Sequence, residues 1–222
     1  MKLFNSVCAA AVVATSVIGS AAHAITFSFT GANYADAHVR TFTSDGLGLT
    51  ATAGTFSSHV NPSIINFHSR KVDQDPDGLG TDGGRHESDQ IDGNHGNDVI
   101  VFTFSQSVII EKVRFGNVDH NDDFAFGTVT DGAFDRLVSF QDIINPFDLS
   151  HIATQEERTG LSFGFGAIGW NDNYTIKSLH VSLAPPPSNE PPAVPLPASA
   201  LLLLGALAMA GGVSSRRRRR PA

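Results

Sequence analysis

The densest chemical signal in the chain is Asp73-Gln74-Asp75-Pro76-Asp77-Gly78. Three carboxylates at alternate positions can converge on one hard cation, and the glycine permits a sharp turn, as in the first half of a Ca²⁺ loop. Leu79 offers a backbone carbonyl at the seventh position. Position twelve, where a calcium loop places Glu, is Gly84, so Asp82, Glu87 or Asp89 would have to complete the shell. Pro76 is foreign to such loops. The same residues also read as the tip of an acidic hairpin. A cation held here would be structural, pinning a loop whose like charges repel.

Two further acidic groups follow: Asp89, Asp92, Asn94 and Asp98, then Asp119, Asn121, Asp122 and Asp123. Their Asp/Asn-Gly punctuation favours turn chemistry over metal binding. His86, His95 and His120 sit in polar segments near carboxylates. His86-Glu87 is not followed by the second histidine of HExxH, so these are read as surface histidines. No G-x-S-x-G occurs. The acids are too numerous for any one pair to mark a glycosidase. Sugar binding needs an aromatic face beside polar groups, and Trp170-Asn171-Asp172-Asn173-Tyr174 provides one. Trp170, Asn171, Asp172 and Tyr174 are therefore candidate glycan contacts. The competing reading has Trp170 plugging one end of the fold.

The elements that must position these residues are strands. Ile25, Phe27 and Phe29 alternate with hydroxyls. Asp98–Phe104 reads as a strand buried on both faces, and Ser107–Phe115 as another. Asp123–Val129 puts Phe124 and Phe126 on one face; Leu137–Gln141 alternates. Gly160–Ile168 puts Leu161, Phe163 and Phe165 together. Tyr174–Leu183 closes the series, with weaker strands at 38–43, 47–56 and 63–68. No segment shows a capped 3.6-residue period. The pattern predicts an all-β, jelly-roll-like sandwich of about eight or nine strands, with a barrel as the alternative. The stretch from Asp77-Gly78-Leu79-Gly80 through Phe115–Phe124 to Asn171–Val181 weakly resembles galactose-binding-like sandwiches, over about 73–183. That resemblance implies no catalytic residues.

Both ends read as addresses. Lys2, an apolar run over Val7–Ile18 and Ala22-His23-Ala24 form a secretory signal with cleavage after residue 24. Cys8, the sole cysteine, leaves with it. Residues 184–193 are a Pro-rich linker. Next come Val194-Pro195-Leu196-Pro197-Ala198, an apolar segment at about 197–213 just long enough to span a bilayer, and Arg216, Arg217, Arg218, Arg219 and Arg220. The arginines should remain cytoplasmic. Motif, apolar segment and basic end, in that order, closely resemble the VPLPA form of the PEP-CTERM sorting signal. That resemblance implies a Gram-negative exported protein. Signal peptidase and the general secretion machinery would act first. The tail would then hold the chain in the inner membrane until exosortase, a membrane cysteine protease, cuts near the motif. Such proteins are often associated with exopolysaccharide and biofilm.

The whole chain carries a net charge of −7 from 15 bases and 22 acids. Setting aside Lys2, Arg216–Arg220 and Glu190 leaves nine bases and 21 acids over 25–183, a net charge of −12. Such a surface repels polyanions, which excludes nucleic acid, and attracts divalent cations. The reading is a non-catalytic cell-surface or matrix protein. A glycan-active enzyme and an unprocessed tail-anchored periplasmic protein are the alternatives.

Overall fold

A computed structural model of the chain describes residues 23–57, 63–84 and 88–186. The signal segment, the sorting motif Val194–Ala198, the apolar segment and Arg216–Arg220 lie outside the described residues. The chain divides into two units, Met1–Ala184 and Pro185–Ala222. No helix among the described residues is long and apolar enough to cross a membrane.

The first unit is all-β. Its strands are β1 (Ala24–Ser28), β2 (Tyr34–Ala37), β3 (Val39–Ser44), β4 (Leu47–Phe56) and β5 (Ser63–Phe67). The hairpin β6 (Lys71–Asp75) and β7 (Gly78–Asp82) precedes β8 (Ile91–Asp92) and the long β9 (Asn97–Gly116). Then come β10 (Phe124–Thr130), β11 (Ala133–Phe134), β12 (Val138–Phe140) and β13 (Phe147–Asp148). A 3₁₀ turn at Leu149–His151 leads to β14 (Thr159–Gly166) and β15 (Asn173–Leu183). These fifteen exceed the eight or nine expected, because β2, β8, β11 and β13 are too short to show alternation and the polar β6–β7 hairpin does not read as strands.

All pairings are antiparallel. β4, β9, β14, β10, β11 and β5 are hydrogen-bonded in that order, and β5 returns to β4, closing a circuit. β15 pairs with β1, β7, β8 and the second half of β9. The two apolar runs expected as separate strands are one: no Gly or Pro interrupts Ser105-Gln106-Ser107. These three exposed residues mark where β9 leaves β4 and takes up β15.

The two faces of β9 serve different cores. Val99 and Val101 join Phe56, Ile65, Ala125 and Phe134 in a small cluster contributed by strands of the circuit. Ile100, Phe102 and Phe104 join the large cluster, whose rings form a connected array. In it Phe29 stacks on Phe102 at 5.4 Å, Phe126 lies parallel to Phe163 at 6.0 Å, and Phe115 meets Tyr174 edge-on at 5.2 Å. Burial of Asp98 at the start of β9 is compensated by Arg70 Nε at 2.8 Å and by Thr81 Oγ1 at 2.5 Å. Burial pushes its carboxyl up to about 7, against the opposing pull of Thr81 and Arg70.

One bulge corrects a sequence-based face assignment, and another changes the phase of β15. Leu161 does not share a face with Phe163 and Phe165 but is 54% exposed, because the register of β14 on β9 shifts between Gly160 and Ser162. In β15 the register shifts around Lys177. Tyr174 and Ile176 before the shift, and Leu179 and Val181 after it, thereby enter the same core. The Gly-Phe alternation of β14 has a steric cause. A Cβ on Gly164 would lie 2.5 Å from the Phe134 ring, and one on Gly166 2.5 Å from the Phe56 ring. Phenylalanines fill one core while glycines admit those two rings to the other.

Gly164→Ala should therefore destabilise the protein by about 1–3 kcal/mol through overpacking. Phe134→Leu should recover part of that loss in the double variant. Urea unfolding of the four-member cycle checks this; strictly additive effects would contradict the contact.

Candidate functional site

Asp73, Asp75, Asp77 and Leu79 do not form a calcium-type loop. They lie on the β6–β7 hairpin, with Asp75 opposite Gly78 and Asp73 opposite Gly80. Asp75 Oδ1 accepts the Asp77 N–H at 2.7 Å, closing the tight turn. The Asp77 carboxylate stands 3.5 Å from Lys177 Nζ. Leu79 is fully buried and paired with both Gln74 and Ile176, so its backbone belongs to the sheet. Among the described residues no three His, Cys, Asp or Glu side chains are grouped as a metal shell. His86 and Glu87 lie outside the described residues.

Asp73 is the unusual member of this edge. It is only 8% exposed, and its Oδ2 has no hydrogen-bond partner. Burial pushes its carboxyl up to about 6, and the charges of Asp89, Asp75 and Asp36 add to the effect. Proton or hard cation would relieve the same crowding.

The second candidate region is at one end of the fold, where three segments meet. These are the β14–β15 loop (167–172), the β9–β10 loop (117–123) and the segment 88–96 around β8. Buried Asp122 and Asp172 join the β9–β10 and β14–β15 loops by accepting backbone N–H groups, and buried Asp92 braces the segment 88–96. Asp172 takes Gly169 N at 2.6 Å and Asp123 N at 3.2 Å. Asp122 takes Asn173 N at 2.9 Å and Asp119 N at 2.5 Å. Asp92 takes Asn94 N at 2.9 Å and the Ser88 hydroxyl. Asp92, Asp122 and Asp172 are all buried. The turn chemistry read from these Asp/Asn runs is what the segments adopt, though much of it acts between loops. Burial raises the Asp172 carboxyl, against the donating N–H groups of Gly169 and Asp123. Close approach completes the clasp. A Cβ on Gly93 would fall 2.1 Å from the Gly169 carbonyl oxygen, so only glycine fits there.

Trp170 does not plug the fold. It is 83% exposed at the crest of the β14–β15 loop. Beside it lies a cleft of about 200 Å³, lined by Ser88, Gln90, Asp92, Asn94, Asp172 and Asn173 as well as Trp170 itself. Across the loop lies a second cleft of about 200 Å³, with Asp123, Phe124, Ser139, Gln141, Ile168, Gly169, Asn171 and Asp172 in its walls. Three of the four candidate glycan residues therefore line these clefts. The fourth, Tyr174, is corrected: it is fully buried and packs against Phe115. Its hydroxyl has no hydrogen-bond partner, and burial holds its pKa well above the ordinary value. The sequence missed Ser88, Gln90, Asn94, Ser139 and Gln141 as cleft residues. Only their polar type hinted at such a role, since the topology that gathers these segments is non-local.

Compared with models of known families, with curated proteins and with solved structures, the chain matches none.

Asp73 sets the pH response of its edge. Its folded-state pKa of about 6 exceeds the ordinary 3.8, so the folded form binds the proton more tightly. Stability from this group therefore falls as pH rises from about 4 to 6, by at most about 3 kcal/mol, and then levels off. Asp73→Asn should remove that fall and raise the melting temperature at pH 8 relative to the parent. Calcium should raise the parent's melting temperature more at pH 8 than at pH 5, reversibly with chelator. Melting curves unchanged across calcium concentrations would remove calcium from the account.

Proposed function

We propose that the chain is an exported, non-catalytic surface or matrix protein. Its acidic all-β unit is delivered by a cleavable signal and sorted through its VPLPA tail by exosortase. Its partners after release are exopolysaccharide and, at the Asp73 edge, calcium. The observation that carries the reading is the order of segments. A secretory signal precedes a folded unit whose core residues all fall between Ile25 and Val181. A Pro-rich linker, motif, apolar segment and five arginines follow it.

A glycan-active enzyme is the second reading, favoured by one fact: Asp92 and Asp172 line the same cleft beside Trp170. General acid–base work needs carboxyl groups free to exchange protons with substrate. Both Asp172 oxygens and both Asp92 oxygens already accept hydrogen bonds that hold the loops. This supports the binding role over the catalytic one.

The intact mass of the protein recovered from a host that carries an exosortase tests sorting. The expected product lacks residues 1–24 and the basic end. Deleting the exosortase, or replacing Pro195 and Pro197 with alanine, should leave the tail attached and the protein in the inner membrane. Retention of Arg216–Arg220 in the exosortase-bearing host would contradict the proposal.

A further inference from the structure

We infer that the two clefts flanking the Trp170 loop are adjoining subsites for a glycan chain without acidic groups, built of neutral or amino-bearing pyranose units. This rests on the reading of the protein as a polysaccharide-associated surface protein and gives that association a place and a chemistry. Trp170 supplies a large apolar ring face open to solvent. A pyranose presents C–H groups on one face and hydroxyls around its rim, so it packs on such a ring while its rim meets polar groups. Gln90, Asn94 and Asn173 on one side, and Ser139, Gln141 and Asn171 on the other, supply donors and acceptors. Each cleft, at about 200 Å³, has room for a ring rather than for a large compact ligand. Asp172 lines both clefts, so a chain crossing the loop would touch the two in succession.

Charge sets the class. Among the described residues Asp92, Asp123 and Asp172 line the clefts, and no Lys, Arg or His does. A uronate would bring its carboxylate against these three, and like-charge juxtaposition is costly. Hydroxyl or ammonium hydrogens suit the remaining carboxylate lone pairs. The buried clasp keeps both clefts formed before binding, which limits the ordering cost.

Trp170 is the sole tryptophan, so intrinsic fluorescence reports on this site alone. The full chain, held in a detergent without a sugar headgroup, is titrated with short oligomers of glucose, of glucosamine and of galacturonate. Saturable change in Trp170 emission with glucose or glucosamine oligomers is expected, with galacturonate weaker by at least about tenfold. The tighter of the first two separates a neutral from an amino-bearing ligand. Calorimetry should show Trp170→Ala losing at least about tenfold in affinity, with an unchanged melting temperature because the side chain is exposed. No saturable change with either oligomer, or galacturonate binding as tightly, would overturn the inference. Parent and Trp170→Ala binding a polysaccharide equally would also overturn it, while leaving the association with polysaccharide standing.

Discussion

β9 is buried on both faces from Asp98 to Phe102, and this one strand is the wall shared by the two hydrophobic cores. Its first half is flanked by β4 and β14, its second half by β15, and the change of partner falls at three exposed polar residues. The strand therefore couples the closed circuit to the β15 group through covalent continuity. A loss of packing at Val101 would be felt by the small core and, through Ile100 and Phe102, by the large one. The Asp98–Arg70 pair reinforces the same wall. Removing Arg70 would leave a buried carboxylate uncompensated, which typically costs more than the pair itself contributes.

That wall positions the loop end. β9 and β15 run to the loops carrying Asp122 and Asp172, and β8 adds Asp92 by pairing with the start of β15. Each carboxylate satisfies two donors, mostly backbone N–H groups of loops that water would otherwise solvate. Hydrogen bonds to charged acceptors are stronger than neutral ones, so a few side chains hold two loops in register and brace a third segment. The unusual acidity of the unit is partly explained by this use. Several of its acids are not surface charge but fasteners, and the loops can remain rigid without a disulfide or a metal.

Much of the architecture could be read from alternation, because buried strands here are rich in Phe, Val and Ile. β1 matches its period-two pattern. Where reading failed, the cause was geometric. The bulges in β14 and β15 shift phase by one residue, and no local signal distinguishes Leu161 from Phe163. Tyr174 reads in the sequence both as the start of a strand and as a glycan contact, and strand pairing with Ile91 carries it into the core. β6 was hidden by composition: Val72 is its sole apolar residue, and Asp73 and Gln74 are buried polar groups. Gln74 is satisfied by donating to the Phe29 carbonyl at 2.9 Å. Asp73 has no such donor, so the pattern that suggested a cation loop was chemically apt, though the backbone makes a hairpin.

Trp170 and Tyr174, four residues apart, show how the same loop divides structural from functional aromatic surface. Burying a large aromatic side chain stabilises a fold by a few kcal/mol, and this fold spends nearly all its rings that way. Leaving Trp170 83% exposed forfeits that gain at a position where the flanking backbone is fixed by Asp172 on one side and by the close approach of Gly93 to Gly169 on the other. A flexible exposed tryptophan could fold down over the adjoining apolar wall of Phe124 and Ile168. The clasp holds the loop crest away from such collapse, so the rigidity conferred by buried carboxylates is also what keeps the indole available. On the proposed reading the structural and binding roles of Asp172 are one role: it fixes the loop, and fixing the loop presents the ring.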